Sequence, residues 1–369
     1  MTVDEARTGS SASGRSADAP EVSAFEPRWL PRLDPIGAAI VRAVAYADVF
    51  NAPLPRSRIF RSIDCPATAA EIDALLDEPA WAAGLLDIGA DDVTLAGRHE
   101  LRSTRADRRQ ISRRRWVSAR RAGRLLGALP FIRFVAVSGS LAVDEADADA
   151  DIDLFLVTAD GRLWLARRLV VGVVRLAALV KVPLCPNYLV AESAIELDDR
   201  TIFVAHELAQ LVRVGGAASQ SALIARNAWA ARLLPNAFRG AQGGAGIAEV
   251  QTPTGRVRQL VERLLRASIL DRVERWEMAR MRRRHPPTSG EAQESRFDRD
   301  RCKGHLVPNG RRALDAYSRR LAALDGSANA RPRGPVVLPA LRSEAFQRDA
   351  ALSSAGLAVC GGRPARARP

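Results

Sequence analysis

Between Asp34 and Leu95 the apolar positions first recur with helical spacing and then contract into short runs. Ile36, Ile40, Val41, Val44 and Val49 fall on one helical face, Pro53 and Pro55 end that helix, and Arg56 to Ile63 opens a second. Thr68 caps a third helix, with Glu71 three residues later completing a capping box before Ile72, Leu75 and Leu76. Leu85 to Ile88, a turn from Gly89 to Asp92, and Val93 to Leu95 then read as a hairpin.

Three helices followed by a hairpin predict a winged-helix-like domain over residues 34–97. Its DNA-binding reading would put Arg56, Arg58 and Arg61 near a groove. The third helix, Thr68 to Glu78, carries acids and no base, so a structural or protein-docking role is favoured. Residues 98–124 hold eleven arginines, with Ile111, Trp116, Ala119, Ala122, Leu125 and Leu126 forming an apolar side. This predicts a long, basic, amphipathic helix, read as a solvated face, with a track for a nucleic-acid or nucleotide partner as the sharper alternative. Further helices are expected at about 160–181, 199–214, 219–233, 255–284 and 309–324, with a Gly-rich linker around 240–246 and a loop over 285–300. Residues 1–33 and 326–369 read as disordered tails.

The segment between the long basic helix and the next carries the chemistry. Phe131 to Val137 is an apolar run of strand length, followed by Ser138, Gly139 and Ser140; Asp151 to Val157 is a second strand that begins with two carboxylates. Side chains alternate along a strand, so Asp151 and Asp153 share one face while Ile152 and Leu154 take the other. Two carboxylates side by side repel unless a cation sits between them, which points to a divalent metal. Asp144, Glu145, Asp147 and Asp149 precede the pair and read as a solvated acidic loop. Gly139, lacking a Cβ, lets backbone approach a ligand, and the turn after it offers N–H groups to phosphate.

The ordered set resembles the DNA polymerase β-like nucleotidyltransferase superfamily: an apolar strand, Gly139-Ser140, a spacer, then Asp151-Ile152-Asp153-Leu154 on the next strand. Asp144 stands where a glycine is common, and Ala150 where a serine often precedes the pair. The likeness extends to bacterial nucleotidyltransferase-domain proteins through Tyr46 to Pro55, Arg162 to Arg167, Pro186-Asn187-Tyr188, Ala205 to Gln210, and Cys302-Lys303-Gly304-His305, covering roughly residues 40–320. The resemblance implies that Asp151 and Asp153 ligate Mg²⁺, and that Ser138, Gly139 and Ser140 hold the phosphates of a nucleoside triphosphate. It also implies a third carboxylate on a later strand. Pro186 to Val190 contains no acid, and Glu192, just beyond, is the candidate, with Glu196 and Asp198 behind it. Lys303 would contact phosphate.

Composition narrows the remaining classes. The net charge of +13 comes almost wholly from arginine, a compositional bias that still gives a field favourable to polyanions. Cys65, Cys185, Cys302 and Cys360 are scattered, so neither a disulfide framework nor a zinc ribbon is indicated, and the cytosol is the default compartment. Leu169 to Val180 is too short, and Arg175 too central, for a membrane span. His206-Glu207 lacks the second histidine of a metalloprotease helix, and Cys302 with His305 gives only half a zinc site. The expectation is an α/β (α+β) protein with a small mixed-sheet nucleotidyltransferase core at 98–195, led by the basic helix, and a helical C-terminal region at 196–325. It would move a nucleoside monophosphate to an unknown hydroxyl acceptor, with nucleic acid among the partners and no membrane. The alternative is a non-catalytic, nucleotide-binding and DNA-binding regulator with a degenerate core; a third is a protein-interaction scaffold.

Overall fold

The computed structural model describes residues 33–218, 220–239, 260–263, 268–284, 296–303 and 309–328. Most of both predicted tails, the Gly-rich linker, most of the 285–300 loop, His305 and Cys360 lie outside the described residues. The architecture is α+β, with two sheets.

The first sheet belongs to the N-terminal unit. Helix α1 (Pro35–Val49) starts where the Asp34 carboxylate accepts from the amides of Ile36 and Gly37, with proline at the first helical position. Strand β1 (Leu54–Pro55), helices α2 (Arg56–Ser62) and α3 (Ala69–Asp77), and the hairpin of β2 (Leu86–Ile88) and β3 (Asp92–Leu95) follow, with sheet order β1-β3-β2. The Thr68–Glu71 capping box forms as the spacing predicts. Ile40, Val44, Ile59, Ile72, Leu76 and Leu95 bury the core of this unit.

Helix α4 (Leu101–Ala128) leads into the second sheet. Its elements are β4 (Ile132–Val137), a single helical turn α5 (Gly139–Ala142), β5 (Ile152–Thr158), α6 (Leu163–Leu179), β6 (Leu184–Ala191), α7 (Ile202–Gln210), β7 (Val212–Gly215), α8 (Gln220–Arg226), α9 (Ala230–Leu233), α10 (Ser268–Arg284), β8 (Arg296–Phe297), β9 (Arg301–Lys303) and α11 (Asn309–Ala328). The strand order is β7-β4-β5-β6-β9-β8, with β5 and β6 parallel and the other pairs antiparallel. One face packs Val135, Val137, Leu154 and Leu156 under α4 and α6; the other packs Phe134, Ala136, Phe155 and Val157 under α7 and α9. Burial on both faces is why β4 and β5 read as nearly continuous apolar runs.

The C-terminal region departs from the helical expectation, because it supplies strands at both edges of this sheet. The helix expected through 214 stops at Gln210: Leu211 leaves helical geometry and Val212 pairs with Val137. The helix expected over 219–233 divides into α8 and α9. Helix α11 continues to Ala328, and its Tyr317, Leu321 and Leu324 join the core of the N-terminal unit rather than the sheet. Close approach of α4 to β7 rests on glycine at Gly123 and Gly127, where a Cβ would collide with Val214 and with the backbone of Gly216. Among the described residues no helix is long and apolar enough to cross a membrane.

Candidate functional site

Asp151 and Asp153 stand at the start of β5, on the face covered by α7 rather than the face packed by α4 and α6. Their alternation with buried Ile152 and Leu154 is the one the strand pattern predicts. The Ser138 amide donates to the Asp153 carbonyl oxygen (3.0 Å), carrying the β4–β5 pairing one residue past the strand. Gly139 follows with φ +64°, and a Cβ built there would lie 2.6 Å from Asp153 Oδ2. Any side chain at 139 would therefore be strained and pressed onto the carboxylate. The structure brings Ser138, Gly139, Ser140, Asp151 and Asp153 together at one end of two neighbouring strands.

Glu192 does not join them. Strand β6 runs parallel to β5, with Ile152 opposite Leu184 and Thr158 opposite Ala191, so Glu192 follows the far end of the sheet, about 20 Å along the strand from the pair. There it is half-exposed and pairs with Arg133 (3.4 Å), which also binds Glu262 (2.9 Å). Asp198 and Glu196 pair with Arg301 and Arg200.

The further acid whose field reaches Asp153 is Glu207 on α7, a helix in contact with α5. Burial, then the negative fields of Asp151 and Glu207, push the Asp153 carboxyl up to about 7, while a hydrogen bond from the Cys185 thiol pulls it back in part. Burial also raises Glu207 to about 7, offset by the ammonium of Lys303. Burial and the adjoining carboxylates hold the Cys185 thiol well above its usual range. Beside Glu207, His206 is buried and stacked on Tyr46 of α1 (4.1 Å between ring centroids, 15° between planes), and burial lowers it to about 3, so the imidazole is neutral at pH 7. Lys303 pairs with Asp199 (3.5 Å) and sits opposite Tyr188 in the register of β6 and β9.

The acidic loop before the pair is solvated only in part: Asp149 is exposed as expected, but the other three acids have partners in the fold. Arg105 donates to Glu145 (2.9 Å) and Arg108 to Asp147 (2.7 Å), all against α4, and Glu145 is buried. Asp144 takes φ +58°, the left-handed geometry for which glycine is favoured, and its carboxylate bridges Arg58 of α2 (3.1 Å) and the Trp116 indole of α4 (2.8 Å). Asp is among the few residues that tolerate this conformation. Arg115 donates to the carbonyls of Ala148 and Ala150, bracing the backbone immediately before Asp151.

The arginines that the DNA-binding reading placed near a groove also have partners within the chain. Arg56 donates to Leu76 O and Asp77, Arg58 to Asp144, and Arg61 to the carbonyls of Ala209 and Ala237. Each of the three spends at least one guanidinium nitrogen on a partner within the chain, although Arg61 stays exposed.

Among the described residues no three His, Cys, Asp or Glu side chains gather into a group able to hold a metal ion. The donor set fits a cation that arrives with a phosphate ligand: one or two carboxylates from the protein, the remainder from phosphate oxygens and water, is the usual share for Mg²⁺. Comparison with family models, curated proteins and solved structures finds no match.

Proposed function

We propose that this chain is a Mg²⁺-dependent nucleotidyltransferase, with residues 98–195 as the centre of its nucleotidyltransferase core and residues 34–97 as a winged-helix-like brace. The observation that carries the reading is the contact between the left-handed Gly139 and Asp153, which joins a side-chain-free phosphate approach to a carboxylate pair. Asp151 and Asp153 would hold Mg²⁺ bound to a nucleoside triphosphate, and the ion supplies charge neutralisation at the phosphates. Ser138, Gly139 and Ser140 admit the triphosphate to the backbone, and Lys303 adds positive charge on the same face. Glu207, rather than Glu192, takes the proton of an acceptor hydroxyl as its oxygen attacks the α-phosphorus and pyrophosphate departs. A carboxyl held near 7 suits a base at neutral pH.

The alternative, a nucleotide-binding regulator without turnover, draws on one feature: β6 sets Cys185, not a carboxylate, beside Asp153. Its DNA-binding element is weakened by the internal engagement of Arg56, Arg58 and Arg61.

Calorimetric titration of each nucleoside triphosphate, with and without Mg²⁺, tests the site. We expect Mg²⁺-dependent binding that the double substitution Asp151→Asn/Asp153→Asn removes. Binding that survives the substitution, or none in the wild-type protein, would overturn the assignment. Binding without release of pyrophosphate in the presence of hydroxyl acceptors would favour the regulator.

A further inference from the structure

The two sides of α4 treat the same residue type in opposite ways. Toward the protein, Arg102 binds Asp92 (2.8 Å), Arg105 binds Glu145, Arg108 binds Asp147, and Arg115 binds two carbonyls. Toward solvent, Arg109, Arg113, Arg114, Arg121 and Arg124 are exposed and form no ion pair among the described residues, while Arg120 lies over the Trp116 ring (5.7 Å to its centroid). No carboxylate occurs anywhere in the sequence from Arg108 to Val143.

At 100° per residue Arg109, Arg113, Arg120 and Arg124 fall within a sector of about 60°, forming one row about 22 Å long. Arg109 with Arg113, and Arg120 with Arg124, are like charges one helical turn apart, each pair costing about 0.2–0.5 kcal/mol in an isolated helix. A small anion would neutralise one end of such a row. A chain of regularly spaced charges answers all of it.

We infer that the outward face of α4 binds the phosphate backbone of a nucleic acid. An amphipathic helix bound to lipid needs a free apolar face, and the apolar face of α4 is already spent on the sheet, with only Val117 and Leu125 as large exposed apolar side chains on this helix. Nucleic acid offers phosphates at the required density, and their neutralisation releases condensed counterions. The surface is independent of the transferase reading, since it binds whether or not Asp151 and Asp153 turn over a nucleotide. If both hold, Arg115 ties this helix to the backbone entering Asp151, and a strand on α4 lies beside the site.

The test is fluorescence anisotropy of the full chain with a labelled oligonucleotide, single-stranded and duplex, across a salt series. Arg109, Arg113, Arg120 and Arg124 are replaced together by alanine, and separately by lysine, with thermal melts confirming that both variants fold. We expect the alanine variant to lose about three units from the slope of log affinity against log salt, and to bind at least tenfold more weakly at low salt. The lysine variant should keep the wild-type slope. An unchanged slope in the alanine variant would overturn the inference and place binding on other basic segments, as would no oligonucleotide binding at all. Anionic vesicles or polyglutamate displacing the oligonucleotide at equal charge concentration would overturn it in favour of a lipid or acidic protein partner.

Discussion

Two acidic regions lie side by side in this chain and do different work. The carboxylates of the loop at 144–147 face guanidinium groups: Glu145 meets Arg105 and Arg108, Asp147 meets Arg108, and Asp144 meets Arg58. A few residues on, burial and the negative fields of Asp151 and Glu207 raise the affinity of Asp153 for a proton, and a hydrogen bond from the Cys185 thiol offsets this only in part. The loop spends its charge on holding α2 and α4 to the core. The strand sets Asp153, its carboxyl raised to about 7, beside a glycine turn, and carboxyls perturbed in this way cluster at functional sites.

Replacing Glu145 with alanine should give the largest stability loss, because it removes the nearest carboxylate from buried Arg105 and leaves Arg108 its pair with Asp147; about 2–3 kcal/mol is expected, read by chemical denaturation. Mg²⁺-nucleotide affinity per folded molecule should be unchanged. A loss below about 1 kcal/mol would mean that the two acidic regions do not differ as described.

Asp153→Asn should act with the opposite sign on stability. Because the folded Asp153 carboxyl lies near 7, above its unfolded value, the folded state binds more protons than the unfolded state between about pH 4 and 7. Its contribution is fully present below that window and is lost as pH rises through it. In metal-free buffer Asp153→Asn should therefore be more stable than wild type at pH 8, by on the order of 1 kcal/mol, with a flatter profile across the window. An unchanged profile would place Asp153 in an ordinary, solvated setting.

The smallest effect is expected at Glu192. Its pair with Arg133 is half-exposed, so Glu192→Gln should cost less than about 1 kcal/mol and leave nucleotide affinity alone. A large loss of binding would restore it to the site and remove Glu207 from it.

Much of this layout is written locally. The Asp34 cap, the Thr68–Glu71 box, the hairpin at 86–95 and the alternation of Asp151 and Asp153 each depend on residues within a turn or a strand of one another. The short strand Val212–Gly215 escaped because its four residues continue an apolar helical pattern and become a strand only by pairing with β4. Glu192 misled because proximity in sequence to a strand says nothing about which end of the sheet it reaches, which the parallel direction of β6 decides.

The sequence by itself determined most of the helices up to Gln210, the two central strands and the placing of a glycine turn and a carboxylate pair at their ends, since these follow from periodicity and backbone sterics. Only the tertiary structure decided which charges meet: that Arg105 and Arg108 pair with the loop, that Arg58 reaches Asp144, and that the field of Glu207 acts on Asp153 from 54 positions along the chain. Electrostatic energy depends on distance and burial in the folded chain, and neither is a property of spacing along it.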